Sequence, residues 1–394
     1  MTTSAPPSTL PPLFPAEEEH SQAVTRTIRE RLVAAGGWLS FEAFMELALY
    51  APGLGYYSAG GAKIGAGGDF TTAPELSELF SVCVARQCAE VLEQTGGAIL
   101  ELGAGTGRMA ATVLETLASL GALPDHYAIL EVSADLRDRQ RTRIEQLPDR
   151  LKKRVVWYDR LPSKPLNGVV LANEVLDALP CHRLVVRDGV ARELGVAATD
   201  PANTSGDTHD FIEQEGSAGA DLAAAWKRLA RELPYELPDD YRTELCLRVE
   251  PWIASLADCI ERGALLLFDY GLPRAHYYHP QRTQGTLRCH YKHRVHDDPF
   301  INVGVQDITA WVDFTRVAEA ADAAGLQVRG FATQAAFLLG LGIESLVRDL
   351  RHSSEARQLL MPGEMGEAFK AIALARNVEA PLAGFSVQDL RHLL

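Results

Sequence analysis

Apolar residues fall along this 394-residue chain in short runs bounded by turn signals, with helical stretches between them. AILEL (98–102), YAILEV (127–132), RVVWY (154–158), GVVLAN (168–173) and ALLLFDY (264–270) are apolar runs rather than alternating ones, with a polar residue only at or near an end. Such continuity marks strands buried on both faces, as in a parallel sheet. LQVRGFAT (326–333) and AFKAIALAR (368–376) add two more, for seven strands. Strand–helix alternation predicts an α/β fold, a doubly wound and mostly parallel sheet with helices on both faces.

The pattern differs before the first strand and between the fourth and fifth. VTRTIRERLVAAGG and LSFEAFMELALYAPGLGYY read as helices, the second capped by Ser40 and stopped by Pro52-Gly53. A glycine-rich loop (Gly60 to Gly68) precedes a third helix expected from Ala73 to Gln94. Residues 21–96 are therefore an expected helical extension, and 97–394 the main domain. Within the main domain, 178–262 reads as an insertion that covers the site or docks a partner. HRLVVRDGVARELGVAA alternates around Asp188-Gly189, a strong hairpin signal. TDPANTSGDT (199–208) reads as a loop, and DLAAAWKRLARELP and EPWIASLADCIERG as helices. Residues 1–20, proline-rich and then acidic, read as a mobile tail.

Composition narrows the function classes. A net charge of −14 without a long basic run argues against nucleic acid as the main partner. No apolar run approaches the roughly 20 residues that span a bilayer, so membrane insertion is not expected. Six scattered cysteines without a CxxC pair indicate a reduced, intracellular setting. The first residues lack a basic start and an apolar core, which makes the cytoplasm the expected location.

Two glycine clusters carry the candidate chemistry. ELGAGTG (101–107) lies where a strand gives way to a helix, and Gly103, Gly105 and Gly107 would let the backbone approach a ligand. A dinucleotide site needs G-x-G-x-x-G, but Arg108 occupies the last glycine position, and the carboxylate of Glu101 would repel a diphosphate. A cationic ligand suits the place better. In the other cluster, KIGAGGDFTTAPELSELF (63–80), Thr72-Ala73-Pro74-Glu75 reads as a capping box with proline in the first turn. His290, His293 and His296 recur every third residue, but Lys292 and Arg294 lie between them and no ligand spacing is recognisable. No metal is assigned there. Trp252, Trp311 and Phe314 read as core.

E-x-G-x-G-x-G resembles the first motif of class I S-adenosylmethionine-dependent methyltransferases. ALYAPGLGYYS, GGDFTTAPELSELF, LELGAGTG, LEVS, ANEVLDALP and FDYG together resemble the MidA family, which includes mitochondrial complex I assembly-factor methyltransferases. The resemblance implies a class I methyltransferase fold that binds S-adenosylmethionine. It implies that Glu101 and the three glycines seat the cofactor, with Glu131 on the ribose, Asp159 beside the adenine and Asn173 at the reacting end. By the same carry-over Asp69, Thr71, Thr72, Pro74 and Glu75 form a lid bordering the cofactor. The implied acceptor is a protein arginine, in a homologue of a complex I subunit, with a homodimer as the family's expected state. Glu174 is then the expected catalytic carboxylate and Asp177 a second candidate. Asp269, Tyr270 and His293 are the expected acceptor-pocket residues. Two readings stay open beside this one, a cofactor-binding scaffold for a partner protein and a nicotinamide oxidoreductase.

Overall fold

The computed structural model describes residues 10–60, 68–69, 71–199 and 210–394. Gly65, Gly67 and nearly all of the 199–208 loop lie outside them. Seven strands build the main sheet: β1 (Ala98–Leu102), β2 (Tyr127–Leu130), β3 (Val155–Tyr158), β4 (Leu166–Asn173), β5 (Ile260–Leu272), β6 (Gln327–Thr333) and β7 (Phe369–Arg376). Their spatial order is β6-β7-β5-β4-β1-β2-β3, and Val312–Asp313 adds a short pairing to the end of β5. β7 runs antiparallel to β5 and β6, while the remaining neighbours are parallel. The chain leaves β1 toward β2 and β3, then returns to place β4 on β1's other side. This switch opens a crevice beyond the carboxyl ends of β1 and β4, where ligands of such sheets bind.

The continuous apolar runs follow from burial on both faces. Ile99, Val169, Leu171, Leu266 and Phe268 face one layer, which includes α4 (Glu78–Thr95) and α5 (Arg108–Leu120). Leu100, Val170, Leu265 and Leu267 face the other, packed against helices Val249–Ala257 and Phe314–Ala323. Phe314 is core as expected; Trp252 is only partly buried.

The N-terminal helices α1 (Pro15–Ala34) and α2 (Phe41–Tyr50) share a third core with the insertion. Ile28, Phe44 and Met45 pack with Val196, Phe211 and Ile308. Leu39–Ser40 pairs with Val190–Ala198, the second strand of the expected hairpin. Asp188 (φ 49°) and Gly189 (φ 74°) both turn left-handed at its tip. Strands Phe211–Ser217 and Arg242–Leu245 complete this small antiparallel sheet.

Two boundaries differ from the sequence reading. α1 begins at Pro15 rather than after residue 20, because proline suits the first helical turn and Glu17 accepts the Phe14 N–H at 2.7 Å. The helix expected over 73–94 is two, α3 (Ala73–Leu76) and α4, split at Ser77. Ser77 is extended (φ −151°, ψ 142°), and its hydroxyl caps α4 at the Leu79 N–H while donating to Glu355. Among the described residues no helix is long and apolar enough to cross a membrane.

Candidate active site

β1 delivers the chain into Gly103, Gly105 and Gly107, all left-handed at φ 62°, 53° and 78°. Such angles strain residues bearing a Cβ, so glycine lets the loop turn under a ligand and start α5 at once. A Cβ on Gly107 would also lie 3.2 Å from the Cα of Gln140, in α6 (Ala134–Ile144). Gln140 is fully buried and holds the loop: its amide donates to the Gly105 carbonyl and to Glu131, each at 3.0 Å. Nothing in its local sequence announced this role. The Ser133 N–H fixes the other Glu131 oxygen at 2.9 Å. Glu101 is buried and accepts from the Tyr127 hydroxyl at 2.7 Å. Burial, and secondarily the Glu131 charge, raise its pKa to about 7.

The loop floors a cavity of about 540 Å³ in the β1/β4 crevice. Glu101, Gly103, Gly105, Glu131, Asn173 and Glu174 line it, as do Thr72, Pro74 and Glu75 from the lid segment. The remaining expected residues lie outside its walls. Gly107 caps α5 behind the loop. Thr71 is exposed. Asp159 is 85% exposed and paired with Arg137 at 2.7 Å, and it borders a separate cavity with Trp157 and Asn167. Its acidic side chain found a cation on α6 because β3 ends beside that helix.

The lid segment is tied down by contacts other than those of a capping box. Thr72 makes no side-chain cap bond, and the Glu75 carboxylate instead accepts from the Thr106 hydroxyl while Arg108 donates to the Glu75 carbonyl. α3 is thereby clamped onto the glycine loop. Asp69 is buried away from the cavity, with its oxygens on the Tyr56 hydroxyl (2.8 Å) and the Lys292 N–H (2.7 Å). His293 donates its backbone N–H to the Asp69 carbonyl at 2.9 Å. Lys292 and His293 are the left-handed tip (φ 44° and 59°) of a hairpin joining Arg288–Tyr291 to Arg294–His296. The three-residue histidine spacing is the spacing of that hairpin. His290 and His296 belong to its two strands.

Beyond β4 the chain makes the turn that places Glu174. Its φ of 53° is unusual for a non-glycine residue, and its N–H bonds the Phe268 carbonyl on β5 at 2.8 Å. Asp269 holds the turn: one oxygen accepts the N–H groups of Val175, Leu176 and Asp177 at 3.2, 2.9 and 3.3 Å, and the other that of Tyr270 at 2.9 Å. Asp269 thus positions the Glu174 turn from beneath instead of lining the cavity, as its place near the end of a strand had suggested. Glu174 accepts the Asn173 amide at 3.1 Å, and the Ala73 backbone of the lid lies close enough to favour its charged form. Burial first, then the Asp177 charge, raise Glu174 to about 8.

Behind it stand Asp177, with the Tyr270 hydroxyl nearby, and Asp307, which accepts the Tyr57 hydroxyl at 2.9 Å. Burial and then the charge of Asp177 push Asp307 up to about 8, and burial raises Asp177 as well. Among the described residues no lysine or arginine forms an ion pair with Glu174, Asp177, Asp269 or Asp307. The Asn173 and Asp177 Oδ1 atoms are buried with no hydrogen-bond partner.

Sequence reasoning missed Tyr50, Tyr57, Arg248 and Trp252, which also line the cavity, and Asp307 behind it. Trp252, read as core, instead shows part of its ring to the cavity from the insertion's last helix. Arg248 binds Glu42 and Glu46 of α2 and so joins insertion to extension at the cavity wall. Of the tyrosines in ALYAPGLGYYS, only tertiary structure shows that Tyr50 and Tyr57 line the cavity.

Residues 83–332 match the model of a family described as "Putative S-adenosyl-L-methionine-dependent methyltransferase". A Drosophila melanogaster protein named protein arginine methyltransferase NDUFAF7 homolog, mitochondrial, is 28% identical over 97% of this chain and 92% of its own. The Danio rerio protein arginine methyltransferase NDUFAF7, mitochondrial, is 26% identical over 94% of this chain and 95% of its own. A Burkholderia thailandensis crystal structure with S-adenosyl-homocysteine bound shares 39% identity and a TM-score of 0.91, covering 98% of this chain and all of that one (100%). The two relatives from animals are mitochondrial by name, which overturns the expectation of a cytoplasmic location.

Proposed function

This chain belongs to that family of S-adenosyl-L-methionine-dependent methyltransferases, and on this premise we propose that it methylates arginine in a protein substrate. Its residues fit the cofactor. Glu101 offers a carboxylate to a ligand bearing a sulfonium and an ammonium, Glu131 offers one to its ribose hydroxyls, and the N–H groups of the glycine loop and the start of α5 suit its carboxylate. The orphaned Asn173 Oδ1 is an acceptor lacking a donor, which the cofactor's amino group would supply. Bound there, S-adenosylmethionine supplies a methyl group that bonds to the acceptor nitrogen as the carbon–sulfur bond breaks and sulfur keeps the electron pair.

The protein's own part is to orient the acceptor and take its proton. The observation that carries the arginine reading is the row of carboxylates Glu174, Asp177 and Asp307, whose partners are tyrosines, an asparagine and backbone N–H groups. A guanidinium stays protonated in solution, and a site for it needs carboxylates both to bind it and to accept the proton released on methylation. Glu174 sits on the cavity wall for that role. Asp177 sustains the negative field from behind, and Asp269 fixes the turn that aims Glu174. The relatives' names support a protein arginine as acceptor, and a homologue of a respiratory complex I subunit is the first candidate to assay.

The test is Glu174→Gln, assayed with methyl-labelled cofactor and cell extract. Transfer to protein should fall at least about 100-fold, the usual scale for a lost acid–base group, with S-adenosyl-homocysteine affinity by calorimetry within a few-fold of wild type. Undiminished transfer would remove Glu174 from the reaction. Cofactor binding without transfer in the wild type would favour the scaffold reading.

A further inference from the structure

The cavity has two unlike sets of walls. The glycine loop, Glu101 and Glu131 supply one; the N-terminal extension supplies the other, chiefly Glu46, Tyr50, Tyr57 and Ser58. Glu46 and Tyr50 lie one turn apart on α2, so both project from one face. The chain then reverses, and the N–H groups of Tyr56 and Tyr57 bond back to the Ala48 and Leu49 carbonyls at 2.8 and 2.9 Å. This return stacks Tyr57 on Tyr50, centroids 5.5 Å apart and planes 25° from parallel. Both hydroxyls are engaged inside the protein, Tyr50 with the Ala178 carbonyl and Tyr57 with Asp307, each at 2.9 Å. What remains for a ligand is the carbon surface of two fixed rings. Asp307 holds one ring, and when ionised its charge is felt at Glu174.

A flat π surface beside a carboxylate suits a planar, weakly hydrated cation better than a compact ammonium, which must shed tightly held water to stack. Because the backbone and both hydroxyls fix the rings beforehand, little ordering cost opposes binding. We propose that Tyr50 and Tyr57 form the acceptor slot that selects a guanidinium over an ammonium, with Asp307 as the residue that positions Tyr57. This rests on the arginine reading above and adds where the specificity resides: in the N-terminal extension, outside the sheet that seats the cofactor.

The experiment compares Tyr57→Phe with Tyr57→Leu. Both lose the bond to Asp307, and only the second loses the ring, so their ratio isolates the slot from the structural contact. The probes are the synthetic peptide spanning the residue that wild-type enzyme labels in extract, and its twin with lysine there. KM for the arginine peptide should be roughly 2- to 30-fold higher in Tyr57→Leu than in Tyr57→Phe, the range for a lost cation–π contact. kcat and S-adenosyl-homocysteine affinity should match between the two variants. Equal KM values would overturn the slot while leaving arginine methylation standing. Should Tyr57→Leu not fold, the Phe and Leu replacements of Tyr50 make the same comparison. Label found on a residue other than arginine would overturn slot and arginine reading together.

Discussion

Varying the pH of methyl transfer perturbs the base on which the account depends. Burial and the adjacent Asp177 carboxylate place Glu174 at about 8 in the free enzyme. Only the ionised form accepts a proton, so at about pH 6 roughly 1% of the free enzyme is competent, and at about pH 9 roughly 90%. kcat/KM reports the free enzyme and should rise about tenfold per pH unit below 8 before levelling. kcat reports the complex, where a bound guanidinium faces the same carboxylate. A unit charge about 4 Å away, at an effective dielectric constant of about 20, contributes about 4 kcal/mol, or roughly 3 pKa units. The kcat profile should therefore turn at least about two units lower than that of kcat/KM. The acceptor's own guanidinium does not titrate in this range and adds no inflection. The assay is label transfer to the identified substrate peptide at saturating cofactor. A kcat/KM that stays level between about pH 6 and 9, or two profiles with one shared inflection, would refute the reasoning.

Three other outcomes follow from the same contacts. Glu174's folded pKa lies above its unfolded value of 4.5, so the folded state holds the extra proton between about 4.5 and 8 and loses stability as pH rises through that window; allowing for screening by cavity water, Glu174→Gln should gain about 1–2 kcal/mol at about pH 9 in urea unfolding and nothing below about pH 4.5. Gly107→Ala places a Cβ at a φ of 78° and 3.2 Å from Gln140, so thermal unfolding should show a loss of about 1–2 kcal/mol, and calorimetry a weaker grip on S-adenosyl-homocysteine. Asp269→Asn puts an amide among four backbone N–H donors; kcat should drop by about tenfold or more with cofactor affinity little changed, and an unaltered kcat would mean the turn holds without that anchor.

The sheet was readable because two-faced burial leaves a signal within each strand. Ile99 and Leu100 face opposite layers, so apolar residues follow one another without alternation until Glu101 near the strand's end. The glycine loop and the Asp188-Gly189 turn were readable because left-handed backbone demands particular residues locally. The acceptor side was not, because its parts lie far apart in the chain. Tyr57 and Asp307 are 250 positions apart, and nothing near either predicts their bond. Strand-end position alone separated neither Asp159, which turned outward to Arg137, from Glu131, nor Asp269, which turned inward to bind a turn, from Glu174. The break at Ser77 depended on Glu355, 278 positions away in sequence.

Mass-spectrometric mapping of the methyl group that this protein transfers, with Glu174→Gln in parallel, tests the central claim most directly. The account predicts methylarginine in a protein, absent from the Glu174→Gln reaction. Methyl groups on another amino acid or on a small molecule, or methylarginine formed equally by both proteins, would contradict it.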